Sequence, residues 1–265
     1  MTTTIPTAEF ASLIYGPCGV MLDDPAETFH EASSLYPDVA PGRLQSLLEL
    51  QSSPALQQTV ARAGYTRDHL PGLDLPPVAL GNVALRDALV SRRSRTPETP
   101  SSLSLTALGS LVGAAYRSAD GRRPVPSGGA LYPLELYVVA LHVDGVCAGV
   151  HHYSPYRHRL ESLAPVDRAD VARTLVEPEL ADSASALIVV TAMFWRSRFK
   201  YGLRGYRFAL IEAGHVIQNV VLAATALGIA ARPPGGYYDR LLDDLVGADS
   251  LDEASVYALL LGGGG

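Results

Sequence analysis

The chain has 265 residues and a formal net charge of −6, with 48% hydrophobic and 18% charged residues. Charge is sparse beside the roughly 25% of an average soluble domain, and the small acidic excess leaves no basic stripe of the kind that binds nucleic acid. The 21 basic residues comprise 20 arginines and a single lysine, Lys200.

Length predicts one large domain, or one and a half. The first part of the chain predicts short helices over 27–35, 43–50 and 53–63, broken by Pro37, Pro41, Pro54 and Pro71. Leu44, Leu47 and Leu48 carry the helical spacing in the second of these. Pro76-Pro77 closes the segment and marks a boundary, giving a small helical region over 1–79 and a main domain over 80–262. Helices are expected over 85–91 and 103–116, the latter with Leu105, Leu108, Leu111, Val112 and Ala115 on one face. A Gly/Pro loop over 121–133 leads into a strand over 135–143, and a hairpin over 149–153 and 159–163 turns at Pro155. A helix over 167–176 and a buried strand over 186–194 follow. The longest helical pattern, 208–228, is apolar nearly all round and reads as a central buried helix. A strand over 256–261 ends in a glycine tail expected to carry no structure.

Other classes fall away on local grounds. The most apolar uncharged stretch, 216–231, contains Gln218, Asn219 and Thr225. It is too short and polar for the roughly 18–20 residues of a membrane span. The N-terminal MTTTIPTAEF has neither the basic nor the apolar region of a signal peptide. Two distant cysteines, Cys18 and Cys147, build no disulfide framework or zinc cluster and point to a reducing cytoplasm. Histidines pair only at His151-His152 and no HExxH occurs, so no metal site is expected.

Four segments carry chemistry. Arg92-Arg93-Ser94-Arg95 is a dense set of donors suited to phosphate oxygens, or equally to the negative end of the helix before it. No dinucleotide or P-loop glycine motif accompanies it. The loop Pro126-Ser127-Gly128-Gly129 lets backbone lie close to a flat ligand, and Gly235-Gly236 has the same freedom; each is also compatible with a plain turn. Between the buried strand and the long helix, Lys200 and Tyr201 sit among arginines. A lysine can shift its pKa where an arginine cannot, so this pair can supply a base near neutral pH.

Together these segments resemble the SagB-type (McbC-like) dehydrogenases of the FMN-dependent nitroreductase superfamily. The resemblance rests on RRSR at 92–95, PSGGALYPLELYVV at 126–139, KYGLRGYRFALIEAGHVIQN at 200–219 and GGYYDRLLDDLVG at 235–247, in family order, with FHEASSLYP at 29–37 as a lead-in. It implies an α+β fold with a central, mostly antiparallel sheet flanked by helices, in an intertwined homodimer with two FMN sites at the interface. Arg92, Arg93, Ser94 and Arg95 would then hold the FMN phosphate and the ring's pyrimidine edge. Pro126, Ser127, Gly128 and Gly129 would pack on the flavin from the partner chain, with Gly235 and Gly236 near the ring or ribityl chain. Lys200 and Tyr201 match the proposed catalytic pair of azole-forming members.

The implied reaction oxidises a thiazoline or oxazoline to the azole, with a proton leaving the former α-carbon and a hydride leaving its neighbour for the flavin. An azoline-bearing peptide would be the substrate and a cyclodehydratase a partner, with the N-terminal region binding one or the other. The alternatives are a same-fold flavin oxidase acting on a carrier-bound azoline, a cyclic dipeptide or a nitro compound, and a catalytically silent scaffold of a modification complex.

Overall fold

The computed structural model describes residues 24–36 and 69–264, with single residues at 52, 53, 55, 59 and 67. The helix expected over 43–50, most of that over 53–63, and Cys18 lie outside the described residues. In chain order the elements are α1 (Pro25–Ala32), β1 (Gly72–Asp74), α2 (Leu85–Ser91), α3 (Leu105–Tyr116), β2 (Leu134–Ala140), β3 (Gly149–Ser154), β4 (Arg159–Ala164), α4 (Arg168–Thr174), β5 (Ala186–Met193), α5 (Trp195–Tyr201), α6 (Arg204–Ala226), β6 (Ile229–Arg232), α7 (Asp239–Val246) and β7 (Glu253–Gly264). The seven strands form one sheet in the order β1-β4-β3-β2-β5-β7-β6. Every neighbouring pair is antiparallel.

Strands β2 and β5 are buried at every position. Helices cover the sheet on both faces, so neither strand needs a polar alternation and each reads as a continuous apolar run. On one face Leu136, Val138, Ile188 and Val190 pack in one core with Leu108 and Leu111 of α3 and Val216 and Val220 of α6. On the other, Tyr137, Val139, Leu187 and Val189 pack with Val171 of α4 and Leu242 and Val246 of α7.

Helix α2 occupies the residues its pattern predicts. The expected elements do not include α5, β6 or α7, and three further regions differ from the expectation. β1 lies on the N-terminal side of the 79/80 boundary yet forms an edge of the sheet, pairing Leu73 with Leu160. The long helix α6 is two-faced rather than apolar all round: Ala213, Val216 and Val220 are buried while Leu210 and Ile211 are 41% and 55% exposed. It is long and apolar enough to cross a membrane, but half of its apolar window is buried inside the fold. The glycine tail is structured through Gly264, which pairs with Ile229. A Cβ on Gly262 would lie 2.5 Å from the Pro97 ring, so only glycine fits that close approach.

Candidate active site

The loop that enters β2 is bent into an unusual shape. Gly129, Ala130 and Tyr132 all adopt left-handed backbone angles, with φ of 64°, 53° and 45°. Such angles are rare outside glycine and persist only where neighbours enforce them. Here the Tyr132 amide donates to the Ser127 hydroxyl at 2.9 Å, and the Arg123 amide donates to the Tyr132 hydroxyl at 3.2 Å.

Helix α5 lies against this loop. A Cβ on Gly129 would stand 2.7 Å from the Tyr201 hydroxyl and 2.8 Å from the Lys200 ammonium. A Cβ on Gly128 would stand 2.9 Å from the Phe208 ring. Tyr201 and Phe208 meet edge to face at 4.9 Å. Gly128, Gly129, Lys200 and Tyr201 are therefore gathered within one chain, with Ser127 pinning the loop behind them. Lys200 is only 6% exposed, and it makes no ion pair or hydrogen bond to another described residue. A largely buried cation without a counter-charge among the described residues is available to an anionic or hydrogen-bond-accepting ligand.

Sequence reasoning missed what stands behind Lys200. One turn earlier on α5, Arg196 is 1% exposed and donates to Glu135 Oε1 at 2.6 Å. Glu135 Oε2 meets His152 Nε2 at 2.8 Å, and His152 Nδ1 meets Glu161 Oε2 at 2.9 Å. Burial alone would raise the Glu135 carboxyl, but the hydrogen bond from His152 and the Arg196 charge outweigh it and hold the group down at about 2. Burial alone would lower His152; its hydrogen bonds to Glu135 and Glu161 raise it instead. The network is two glutamates bridged by the His152 ring and closed by the Arg196 guanidinium. The available signal was a glutamate opening the otherwise apolar strand ELYVVALHV.

A second buried group flanks the loop. Glu212 of α6 is 2% exposed and accepts from the Tyr116 hydroxyl at 3.0 Å, while its Oε2 has no partner among the described residues. Burial pushes this carboxyl up to about 7, against the Ser127 and Tyr116 hydroxyls and the Arg123 charge, which pull it down. The Arg123 guanidinium stacks 4.1 Å from the Tyr116 ring and 4.8 Å from the Tyr132 ring.

The arginine cluster and the second glycine pair form a separate group. Arg93 donates back to the Val90 and Arg92 carbonyls and so closes its own helix. Arg95 is tied to β6, through its amide to Ala231 and its guanidinium to Gly228. Arg92 is half-buried and Ser94 exposed, and neither side chain bonds to another described residue. Arg232 links the Thr96 hydroxyl at 2.6 Å to Glu177 at 2.9 Å. Gly235 and Gly236 back onto Glu177 and Val176. Among the described residues, no hydrogen bond, ion pair or ring contact joins this group to the Lys200 group.

The N-terminal helix α1 is docked beside the α5–α6 elbow. Phe29 meets the Tyr206 ring at 5.2 Å, and Tyr206 stacks on Phe194 at 4.5 Å. Arg207 donates to the Ser33 hydroxyl at 2.8 Å and to the His30 carbonyl.

Residues 89–263 match the model of the Nitroreductase family. A protein of Methanocaldococcus jannaschii named "Putative nitroreductase MJ1384" is 34% identical over 66% of this chain and 88% of its own length. The microcin B17-processing protein McbC of Escherichia coli is 34% identical over 60% of this chain, and the match spans 61% of McbC. In the solved E. coli microcin synthetase McbBCD complex with truncated pro-MccB17 bound, one chain matches with a TM-score of 0.57 and 26% identity, over 91% of this chain and 94% of that one. With two thirds of its length under the family model, the antiparallel α+β sheet of that fold and McbC among its relatives, this chain belongs to the nitroreductase family, as an McbC-like member.

Proposed function

We propose that the protein is a SagB-type, FMN-dependent dehydrogenase that oxidises thiazoline or oxazoline rings of a peptide precursor to azoles. The observation that carries this reading is Lys200: a largely buried side chain with no ion-pair partner among the described residues, close with the Tyr201 hydroxyl to a left-handed glycine loop. The relatives named for microcin B17 and trifolitoxin processing support a peptide substrate, as does the solved complex with truncated pro-MccB17 bound.

The donors left unspent fit the flavin. Arg92 and Ser94 suit its phosphate, and Lys200 beside the glycine loop suits the electron-rich edge of its ring. FMN, when bound, supplies the two-electron acceptor. The chain's own residues do the rest: the loop and Phe208 present a flat wall, and one of Lys200 and Tyr201, in its deprotonated form, takes the proton from the former α-carbon while the other, still protonated, donates to it.

No hydrogen bond, ion pair or ring contact among the described residues joins the arginine group to the Lys200 group within one chain. The reading therefore includes a homodimer in which each flavin is held by Arg92 of one copy and faced by the glycine loop of the other. Leu85, Leu89 and Val90 of α2, 68%, 53% and 69% exposed, offer an apolar surface for that association.

The test is incubation with an azoline-bearing peptide and mass spectrometry for the loss of two hydrogens. Lys200→Ala with Tyr201→Phe is expected to keep bound FMN and abolish that loss; full turnover by the double variant overturns the assignment. Mixing inactive Arg92→Ala and Lys200→Ala chains, unfolded and refolded together, is expected to restore part of the activity, because a mixed dimer regains one intact site. No restoration overturns the shared site.

A further inference from the structure

Arg196 and Lys200 are four residues apart on the buried face of α5, whose other side exposes Trp195, Arg198 and Phe199. Four residues is one helical turn, so whatever fixes Arg196 also fixes the rotation and height of Lys200. Arg196 is fixed by Glu135, and Glu135 lies six residues beyond Gly129 on the same loop-and-strand unit. Two contacts thus join the same two pieces of chain: Glu135 with Arg196 at one end, Gly129 with Lys200 and Tyr201 at the other. Between them Arg196 also reaches the Tyr132 carbonyl at 3.5 Å. The helix also packs on α6, with Tyr201 on the Phe208 ring and Gly205 close against the Ser197 backbone. It has seven residues and no side-chain hydrogen bond at its N-cap, and helices this short are marginal without tertiary contacts.

We infer that Arg196 and Glu135 are positioning residues for Lys200, with His152 and Glu161 holding Glu135 in its charged, oriented form. Glu135 presents one oxygen to Arg196 and the other to His152, so the carboxylate cannot rotate without losing a buried partner. The network sets the spacing between α5 and the glycine loop, and that spacing sets where the ammonium stands relative to whatever lies on the loop. The inference rests on the dehydrogenase reading for its effect on turnover, but the placement of Lys200 can be read without turnover.

The chain's single lysine provides that readout. Protein carrying lysine labelled with carbon-13 at the ε position gives one lysine signal, from Lys200, in the full-length protein as purified. Glu135→Gln, nearly isosteric, and Arg196→Gln are each expected to displace that signal and move its titration midpoint. Each is also expected to lower kcat on an azoline peptide about tenfold or more while KM stays within about twofold, as a misplaced catalytic group does. Tyr153→Phe removes a buried hydrogen bond to His158 at 2.9 Å, away from α5. It is expected to lower the melting temperature while leaving the lysine signal where it was. An unchanged signal and midpoint in the two network variants, or an equal displacement in Tyr153→Phe, overturns the inference. Wild-type protein that never oxidises an azoline ends the dehydrogenase reading, and the lysine signal still decides the positioning role.

Discussion

Helix α5 holds two cations on one buried face, and the structure treats them in opposite ways. Arg196 is met by a carboxylate that is itself held by an imidazole, so its charge is neutralised and its geometry fixed. Lys200, one turn on, has no counter-charge among the described residues. The difference follows the chemistry of the two side chains. A guanidinium stays charged and offers a planar fork suited to a permanent pair, whereas an ammonium is a point charge whose proton can be moved. Every lysine or arginine ion pair among the described residues uses arginine. The carboxyls repeat the contrast. Glu135 is paired and held charged, while Glu212, on the other side of the loop, has only hydroxyl partners and is pushed towards neutrality.

The largest effect that can break this contrast is on Arg196. Arg196→Met leaves Glu135 buried beside a histidine alone and is expected to cost about 3–5 kcal/mol in denaturant unfolding. A cost below about 1 kcal/mol would mean that the pair contributes little to the fold.

The next effect is on Glu212 and depends on pH. Its folded pKa, about 7, lies above the unfolded value of about 4.3. A group raised on folding contributes stability that is fully present below the unfolded value and is lost as pH rises through the folded one. Wild-type protein should therefore fall behind Glu212→Gln progressively between about pH 4.3 and 7, by up to about 4 kcal/mol, with no further change above. Unfolding curves at pH 4 and pH 8 measure this. A difference that does not vary with pH would place Glu212 with the paired carboxyls.

The smallest effect is the most telling. Lys200→Met removes a charge that no described residue neutralises and is expected to change stability by less than about 1 kcal/mol, or to raise it, while turnover is lost. A loss as large as that of Arg196→Met would show that Lys200 also belongs to the framework.

The sheet and its cover were largely legible in the sequence because burial on both faces writes itself as apolar runs. β2 and β5 are such runs, and α2 and α3 follow their patterns closely. Helix α5 was not legible. WRSRFKY has no apolar stripe and no capping side chain, so the reading passed over residues that Arg196 anchors by reaching across to β2. β6 is four residues long and takes its place from pairing with β7. The candidate site divides in the same way. Lys200, Tyr201 and the glycine loop were singled out because their chemistry is visible one residue at a time. Glu135, His152, Glu161, Arg196 and Glu212 were not, because they are defined by partners distant in the chain: 61 residues separate Arg196 from Glu135, and 96 separate Tyr116 from Glu212. The arginine cluster looked uniform in sequence, yet only Arg92 keeps its guanidinium free of other described residues; Arg93 and Arg95 are engaged with backbone carbonyls.

The solitary lysine has one more consequence. A protease that cuts only after lysine finds a single peptide bond to attack in this chain, that between Lys200 and Tyr201. The bond lies at the C-terminal end of α5, with Lys200 buried. Cleavage has to wait for that helix to unwind, so its rate is a clock for one local opening event rather than for unfolding at large.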